Sequence, residues 1–203
     1  MNNRIECVVV GPIETNCWLY ALDEEQDGKR SCAVIDPGGE AEKIISGLKK
    51  LNWVPHYIFL THGHWDHVTA LPELLDAFGK GMFGNQEPPK IYINRLDVQL
   101  LKNNTLPLYH FEEGNTIGPF KILHTPGHTQ GSTCFYDEKT AVLFSGDTLF
   151  EGDHGRTDLP GGSAEQMRQS LNRLVSLSED TVVYPGHDIT TTIAEEKPKY
   201  LLD

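Results

Sequence analysis

Short apolar runs alternate with amphipathic stretches along most of this chain. The apolar runs are rich in Val, Ile, Leu and aromatic residues and are bounded by turn-forming residues, a pattern that predicts β-strands. We place these predicted strands at Ile5–Val10, Cys17–Ala21, Cys32–Ile35, Tyr57–Leu60, Ile91–Ile93, Phe120–Leu123, Thr133–Tyr136, Ala141–Phe144 and Thr181–Tyr184.

Three stretches carry the helical period instead. The first is Ala41–Leu51, whose isoleucines and leucines recur on one face, and the second is Ala70–Phe78, which ends at a glycine. The third is Ala164–Ser176, with Ser163 as its N-cap. Because strands and helices are interleaved and no repeat or linker interrupts them, we expect a layered α/β fold and one domain over residues 1–203.

Four apolar segments end in the same way, with a small residue or a Pro-Gly turn followed by His or Asp. They read "YIFLTHGHWDH", "FKILHTPGH", "AVLFSGD" and "TVVYPGH". Ligands in layered α/β folds gather beyond the carboxyl ends of strands. We therefore expect one edge of the molecule to collect His62, His64, Asp66, His67, His128, Asp147 and His187.

The number and type of these side chains predict a metal centre. Seven ligands exceed what one tetrahedral zinc ion uses, whereas two metal ions that share a carboxylate would use them all. Imidazole nitrogen and carboxylate oxygen suit zinc, which we expect first, and also iron or manganese. The alternative, a histidine-rich loop without a metal, does not account for the three matching segments downstream.

Charge and cysteine content limit the classes of partner and the cellular compartment that we expect. The chain has 17 Lys and Arg against 29 Asp and Glu, a formal charge of -12, which argues against nucleic acid as a partner. The first apolar run is too short for a signal peptide or a membrane span. The four cysteines lie far apart in apolar segments, and we expect buried thiols in a reducing, cytoplasmic compartment.

Together the motifs resemble the metallo-β-lactamase superfamily. "THGHWDH", "TPGHTQGS", "SGDTLF" and "YPGH" occur in that family's order and spacing, and the likeness runs from "GPIETNCWL" to "TTIAEEKPKYLL". The segment "GDTLFEGDHGRTDLPGG" narrows the likeness to glyoxalase II-like hydrolases and their persulfide dioxygenase relatives. This resemblance implies an αββα sandwich, two mixed β-sheets flanked by helices, with the metals at the edge of the sheets.

The resemblance also implies a role for each ligand. His62, His64 and His128 would hold one metal, and Asp66, His67 and His187 the other. Asp147 would bridge the two. His124, four residues before His128, would orient a ligand from outside the metal's own contacts.

The chain departs from glyoxalase II proper in two places. That family continues past its last ligand into a helical domain that helps to bind glutathione, but only 16 residues follow His187 here. Arg156 and Asp158 replace the Lys and Tyr with which the family contacts glutathione. Arg156 could bind a substrate carboxylate or pair with a neighbouring aspartate, and the sequence leaves both roles open.

The leading hypothesis is hydrolysis of a small thioester or related ester. Two metals bridged by Asp147 would activate a water as the nucleophile, and Asp66 could orient it. The first alternative is an iron-dependent persulfide dioxygenase that uses His62, His128 and Asp147. The second is a lactonase that uses the same metal site.

Overall fold

The computed structural model describes residues 4–26, 28–83, 87–102 and 105–200. Residues 1–3 and 201–203, to which the predicted single domain extends, lie outside the described residues. The β-strands are β1 (Ile5–Val10), β2 (Thr15–Gln26), β3 (Lys29–Ile35), β4 (Trp53–Phe59), β5 (Lys90–Ile93), β6 (Leu108–His110), β7 (Thr116–Ile117), β8 (Phe120–His124), β9 (Thr133–Asp137), β10 (Val142–Gly146), β11 (Val182–Pro185) and β12 (Thr191–Thr192).

Five α-helices and one 3₁₀ helix are found in the described residues. They are α1 (Ala41–Leu51), α2 (Trp65–Val68), α3 (Leu71–Gly79), α4 (Ala164–Leu174), α5 (Ile193–Tyr200) and the 3₁₀ helix Arg95–Leu100. None of the helices in this part of the chain has the length and apolar character that a bilayer crossing requires.

The strands form two mixed sheets of six. One sheet has the order β1-β2-β3-β4-β5-β6 and the other β12-β11-β10-β9-β8-β7. In the first, β3 to β6 run parallel, and in the second, β10 and β11 run parallel. The carboxyl ends of β3 and β4 therefore share one edge of their sheet, and those of β10 and β11 share one edge of theirs.

Three apolar layers hold the sheets and helices together. Ile35, Phe59 and Phe135 belong to the layer between the two sheets. The outer face of the first sheet packs against α1 and α3, and the outer face of the second packs against α4 and α5. Because both faces of the central strands are buried, their sequences read as continuous apolar runs. The fold is the predicted αββα sandwich of two mixed sheets flanked by helices.

Most predicted elements are confirmed, and the differences have local causes. The first helix has its predicted bounds, and Ser163 caps α4 by accepting a hydrogen bond from the Gln166 amide. The short strands β6, β7 and β12 were not predicted, because two or three residues carry no period. Helix α5 was missed because it contains Pro198 and lacks a clear apolar face. Cys7 is exposed on the edge strand β1, so its predicted burial is wrong.

A buried carboxylate lies at the end of β9. Asp137 is 4% exposed and accepts a hydrogen bond of 2.6 Å from the Tyr20 hydroxyl. Its other oxygen accepts from the amides of Lys139 and Thr140. Burial and this hydrogen bond raise the pKa of Tyr20 to about 12. Asp137 thus ties the first sheet to the turn after β9.

Candidate metal centre

All seven predicted ligands lie together at one edge of the sandwich. Every one of them sits in a loop or short helix directly after β4, β8, β10 or β11. They form three overlapping groups whose ligand atoms lie within 4.8 Å of one another. The groups are His62 with His64 and His128, His62 with His67 and Asp147, and Asp66 with His67 and His187.

The first group consists of three histidines from both sheets. His64 Nδ1 lies 2.8 Å from His128 Nε2, and the rings of His62 and His128 are 4.8 Å apart. His128 donates its other ring N–H to the carbonyl of Arg156 at 2.8 Å. That hydrogen bond fixes the ring so that Nε2 faces the cluster.

The other ligands form a group of histidines and carboxylates. His67 Nε2 lies 3.1 Å from Asp66 Oδ2, and His187 Nε2 lies 3.3 Å from the same oxygen. His187 donates its Nδ1–H to the Ile13 carbonyl at 3.2 Å. Both rings therefore present Nε2 to Asp66.

Asp147 lies between the two groups. Its Oδ1 is 3.4 Å from His67 Nε2, and its Oδ2 is 3.4 Å from His128 Nε2. Oδ2 also lies 3.8 Å from His187 Nε2, so the Asp147 carboxylate faces ligands of both groups, as a bridging ligand needs.

Unpartnered polar atoms show that the cluster fits a metal. Four buried side-chain nitrogen or oxygen atoms in the described residues have no hydrogen-bond partner, and three are His62 Nε2, His67 Nε2 and Asp147 Oδ1. A buried polar atom without a partner costs about 1–3 kcal/mol, so three in one cluster need an explanation. Nitrogen and carboxylate oxygen are ligands of divalent transition metals, and a cation among them would satisfy all three.

Two glycines make the close approach possible. A Cβ at Gly186 would lie 2.3 Å from Asp147 Oδ1 and 2.7 Å from His67. A Cβ at Gly146, whose φ is +51°, would lie 2.3 Å from the Thr61 hydroxyl. A side chain at Gly186 would displace Asp147 and His67, and one at Gly146 would displace Thr61.

Asp36 orients a ring in each group, and sequence reasoning missed it. Its Oδ2 accepts from His67 Nδ1 at 2.9 Å and from the Thr61 hydroxyl at 2.6 Å. The same hydroxyl lies 3.0 Å from His62 Nδ1 and accepts its proton. Both histidines thereby keep Nε2 free for a metal. Its sequence signal is the same as that of the ligands, because Asp36 directly follows the apolar strand β3.

The structure shows one of the two roles left open for Arg156, and it gives His124 a different contact from the one expected. The Arg156 guanidinium makes two hydrogen bonds to Asp158, at 2.8 and 2.7 Å, so it forms the ion pair rather than an open cation. Arg156 contributes to the site through its backbone carbonyl. His124 donates to the Gln130 carbonyl at 2.8 Å and so braces the loop that carries His128, without contacting that ring.

The two groups differ in protonation. Burial lowers the pKa of His62 well below its ordinary value, and the neighbouring histidines lower it further. Burial would also lower the pKa of His67, but the carboxylates of Asp147 and Asp36 outweigh it and raise the pKa well above its ordinary value. The pKa of His187 is raised too, because nearby carboxylates outweigh its burial. His62 is thus ready for a cation, whereas His67 and His187 hold protons that a cation must displace.

Comparison with known proteins gives a consistent set of relatives. A model of the Metallo-beta-lactamase superfamily matches residues 10–187. Hydroxyacylglutathione hydrolase GloC from Haemophilus influenzae is 37% identical over 206 residues, which cover 96% of this chain and 95% of that protein.

Two solved structures share the fold over nearly the whole chain. TTHA1623 in a di-iron-bound form is 35% identical, with a TM-score of 0.83 over 94% of this chain and 96% of that one. The BLEG-1 B3 metallo-beta-lactamase is 33% identical, with a TM-score of 0.80 over 97% and 99% of the two chains.

Metal binding by the group of Asp66, His67 and His187 should weaken as the pH falls. Both histidines have a pKa raised above 6.5, so the metal-free chain keeps protons there that binding must release. Affinity should fall about tenfold per pH unit for each displaced proton. Zinc titration of the metal-free protein in weak buffer with a pH indicator measures the release, and His187→Ala should reduce it. If each of the two zinc ions binds with the same affinity at about pH 6 as at about pH 8, this assignment is wrong.

Proposed function

This chain belongs to the metallo-beta-lactamase superfamily, and on that premise we propose that it hydrolyses small thioesters or related esters with two divalent metal ions. The observation that carries the proposal is the convergence of His62 Nε2, His67 Nε2 and Asp147 Oδ1, all buried and all without a partner. We further propose that residues 1–203 form one domain, since both sheets contribute ligands to this single site.

In this proposal the two groups hold one metal each. His62, His64 and His128 would hold the first ion, and Asp66, His67 and His187 the second. Asp147 would bridge them, because its carboxylate faces ligands of both groups. Zinc is the ion we expect, and the di-iron form of TTHA1623 supports iron as the other candidate.

Two bound divalent ions would lower the pKa of a water and stabilise negative charge on a carbonyl oxygen. The chain's own residues would set the geometry for that chemistry. Asp66 Oδ2 lies within 3.3 Å of His67 Nε2 and His187 Nε2 and would accept a hydrogen bond from the attacking water. Asp36 would keep two ligand rings in register during the reaction.

The choice of a thioester follows from what the site lacks. In this proposal all seven clustered histidines and aspartates would be metal ligands, which leaves none of them to protonate a leaving group. A thiolate leaves at neutral pH without a proton, whereas an amine does not. The name of GloC, a hydroxyacylglutathione hydrolase at 37% identity, supports the same substrate class.

Two other reactions would use the same ligands. An iron-dependent oxidation of persulfides would need one iron on His62, His128 and Asp147, two of which approach each other to 3.4 Å. Hydrolysis of lactones, or of β-lactams as the name of BLEG-1 indicates for that protein, would need the same activated water.

Metal content and activity, measured on one preparation, test the proposal. The protein purified from unsupplemented medium should contain two metal ions per chain and hydrolyse thioesters without consuming oxygen. His187→Ala should reduce metal content towards one ion with the fold intact by circular dichroism, because only the second group loses a ligand. A single iron together with persulfide-dependent oxygen uptake would identify the oxidative alternative instead.

Asp147→Asn tests the bridging role. The amide keeps the size and one oxygen but removes the charge that offsets two cations. We expect weaker metal binding and a fall in kcat of about 100-fold or more, at unchanged circular dichroism. If the variant retains both metals and wild-type turnover, the proposed mechanism is wrong.

S-Lactoylglutathione tests the thiol. The exposed Arg156 guanidinium makes two hydrogen bonds to Asp158, which would compete with a glutathione carboxylate for this cation. We expect a KM at least about tenfold above that of a glyoxalase II with its own glutathione contacts, since remote binding is what is lost. Asp158→Asn, which releases the cation, should lower KM with little change in kcat. A low KM for the unmodified chain would mean that glutathione binds elsewhere.

A further inference from the structure

Besides Asp36, another buried aspartate lies beside the ligands, and it belongs to none of the sequence motifs. Asp97 is 1% exposed and belongs to the 3₁₀ helix Arg95–Leu100, whose first turn is capped by the Asn94 side chain. It follows no long apolar strand, so the pattern that revealed the ligands gives no signal here.

The Asp97 carboxylate joins the loops that carry the first group of histidines. Its Oδ2 accepts from the amide of Gly63 at 3.0 Å and from the Thr129 hydroxyl at 2.6 Å. Its Oδ1 accepts from the amide of Gly131 at 2.7 Å. Gly63 lies between His62 and His64, and Thr129 follows His128 directly.

Asp97 packs closely against a glycine of each loop. A Cβ at Gly63 would lie 2.6 Å from the Asp97 carbonyl oxygen, and one at Gly131 would lie 2.5 Å from its Oδ1. The two loops start from different sheets, β4 and β8, and one backbone hydrogen bond, from the Thr133 amide to the Thr61 carbonyl, joins the sheets beside them. Asp97 is a single buried group that both loops contact.

We propose that Asp97 is a positioning residue, which sets the distance between the His62–His64 loop and the His128 loop and so shapes the three-histidine metal site. The inference rests on the proposed metal centre. Asp97 touches no ligand ring and would not touch the metal. It acts through two backbone amides and one hydroxyl, whose charge-assisted hydrogen bonds are stronger than neutral ones.

Replacement by asparagine should open this contact. The amide has one oxygen, so its NH₂ must face at least one of the three donors, and a buried donor is left without a partner. A purely structural role predicts lower stability only. A positioning role predicts, in addition, weaker binding at the three-histidine site.

The test measures zinc affinity in a chain with only that site. In the His187→Ala background, the metal-free protein is titrated with zinc against a chromophoric chelator, with and without Asp97→Asn. We expect the dissociation constant to rise about 10- to 100-fold, the usual effect of losing a group that orients ligands from outside the metal's contacts. Asp137→Asn is the matched control, because Asp137 also accepts three hydrogen bonds while buried but lies away from the ligands. It should lower the urea midpoint and leave zinc affinity within about twofold.

If Asp97→Asn lowers the urea midpoint like the control and binds zinc with unchanged affinity, the positioning role is wrong. If it does not fold, Thr129→Val decides, since it removes only the hydroxyl donor. This variant should bind zinc several-fold more weakly, and Thr129→Ser should restore affinity; wild-type affinity in Thr129→Val would overturn the inference. If the wild-type chain binds zinc but hydrolyses no thioester, the proposed function is wrong, whereas the positioning role of Asp97 is unaffected.

Discussion

Three buried ligand atoms that face one another without a hydrogen-bond partner are the constraint on which this structure depends. Each one costs about 1–3 kcal/mol in the metal-free chain, and the rest of the fold must hold them there. The three apolar layers supply that free energy, since they bury both faces of both sheets. A bound cation would recover the cost, so loading with metal should also stabilise the fold.

The loops that carry the ligands are held by backbone hydrogen bonds between the sheets. The Thr133 amide donates to the Thr61 carbonyl at 2.9 Å, and the Asn16 amide donates to the Gly186 carbonyl at 2.7 Å. Asn16 also donates its side-chain amide to the carbonyls on both sides of the His187 turn. A rigid scaffold under each loop keeps its ligand atoms within the few tenths of an ångström that metal coordination requires.

The sequence predicted nine of the twelve strands in the described residues, three of the helices and the seven clustered side chains, because each follows a simple physical rule. Apolar runs buried on both faces are unmistakable, and a polar residue directly after such a run lies at the sheet edge. The same rule would have identified Asp36. It could not identify Asp97, whose role depends on two loops that meet only in the folded chain. Nor could it decide whether Arg156 is an open cation, because that depends on the rotamers of Arg156 and Asp158.

The hydrogen bonds by which Asp36 orients rings of both groups bear on which metal ion the cluster would hold in a cell. One carboxylate orients His62, through Thr61, and His67 directly, so the same ring positions would be presented to whichever divalent ion binds. The cluster contains only imidazole and carboxylate, with no soft thiolate to exclude iron or manganese. Selection among these ions would then rest on their availability during synthesis, so that nutrition and metal homeostasis, as much as the gene, would decide the catalyst that is made.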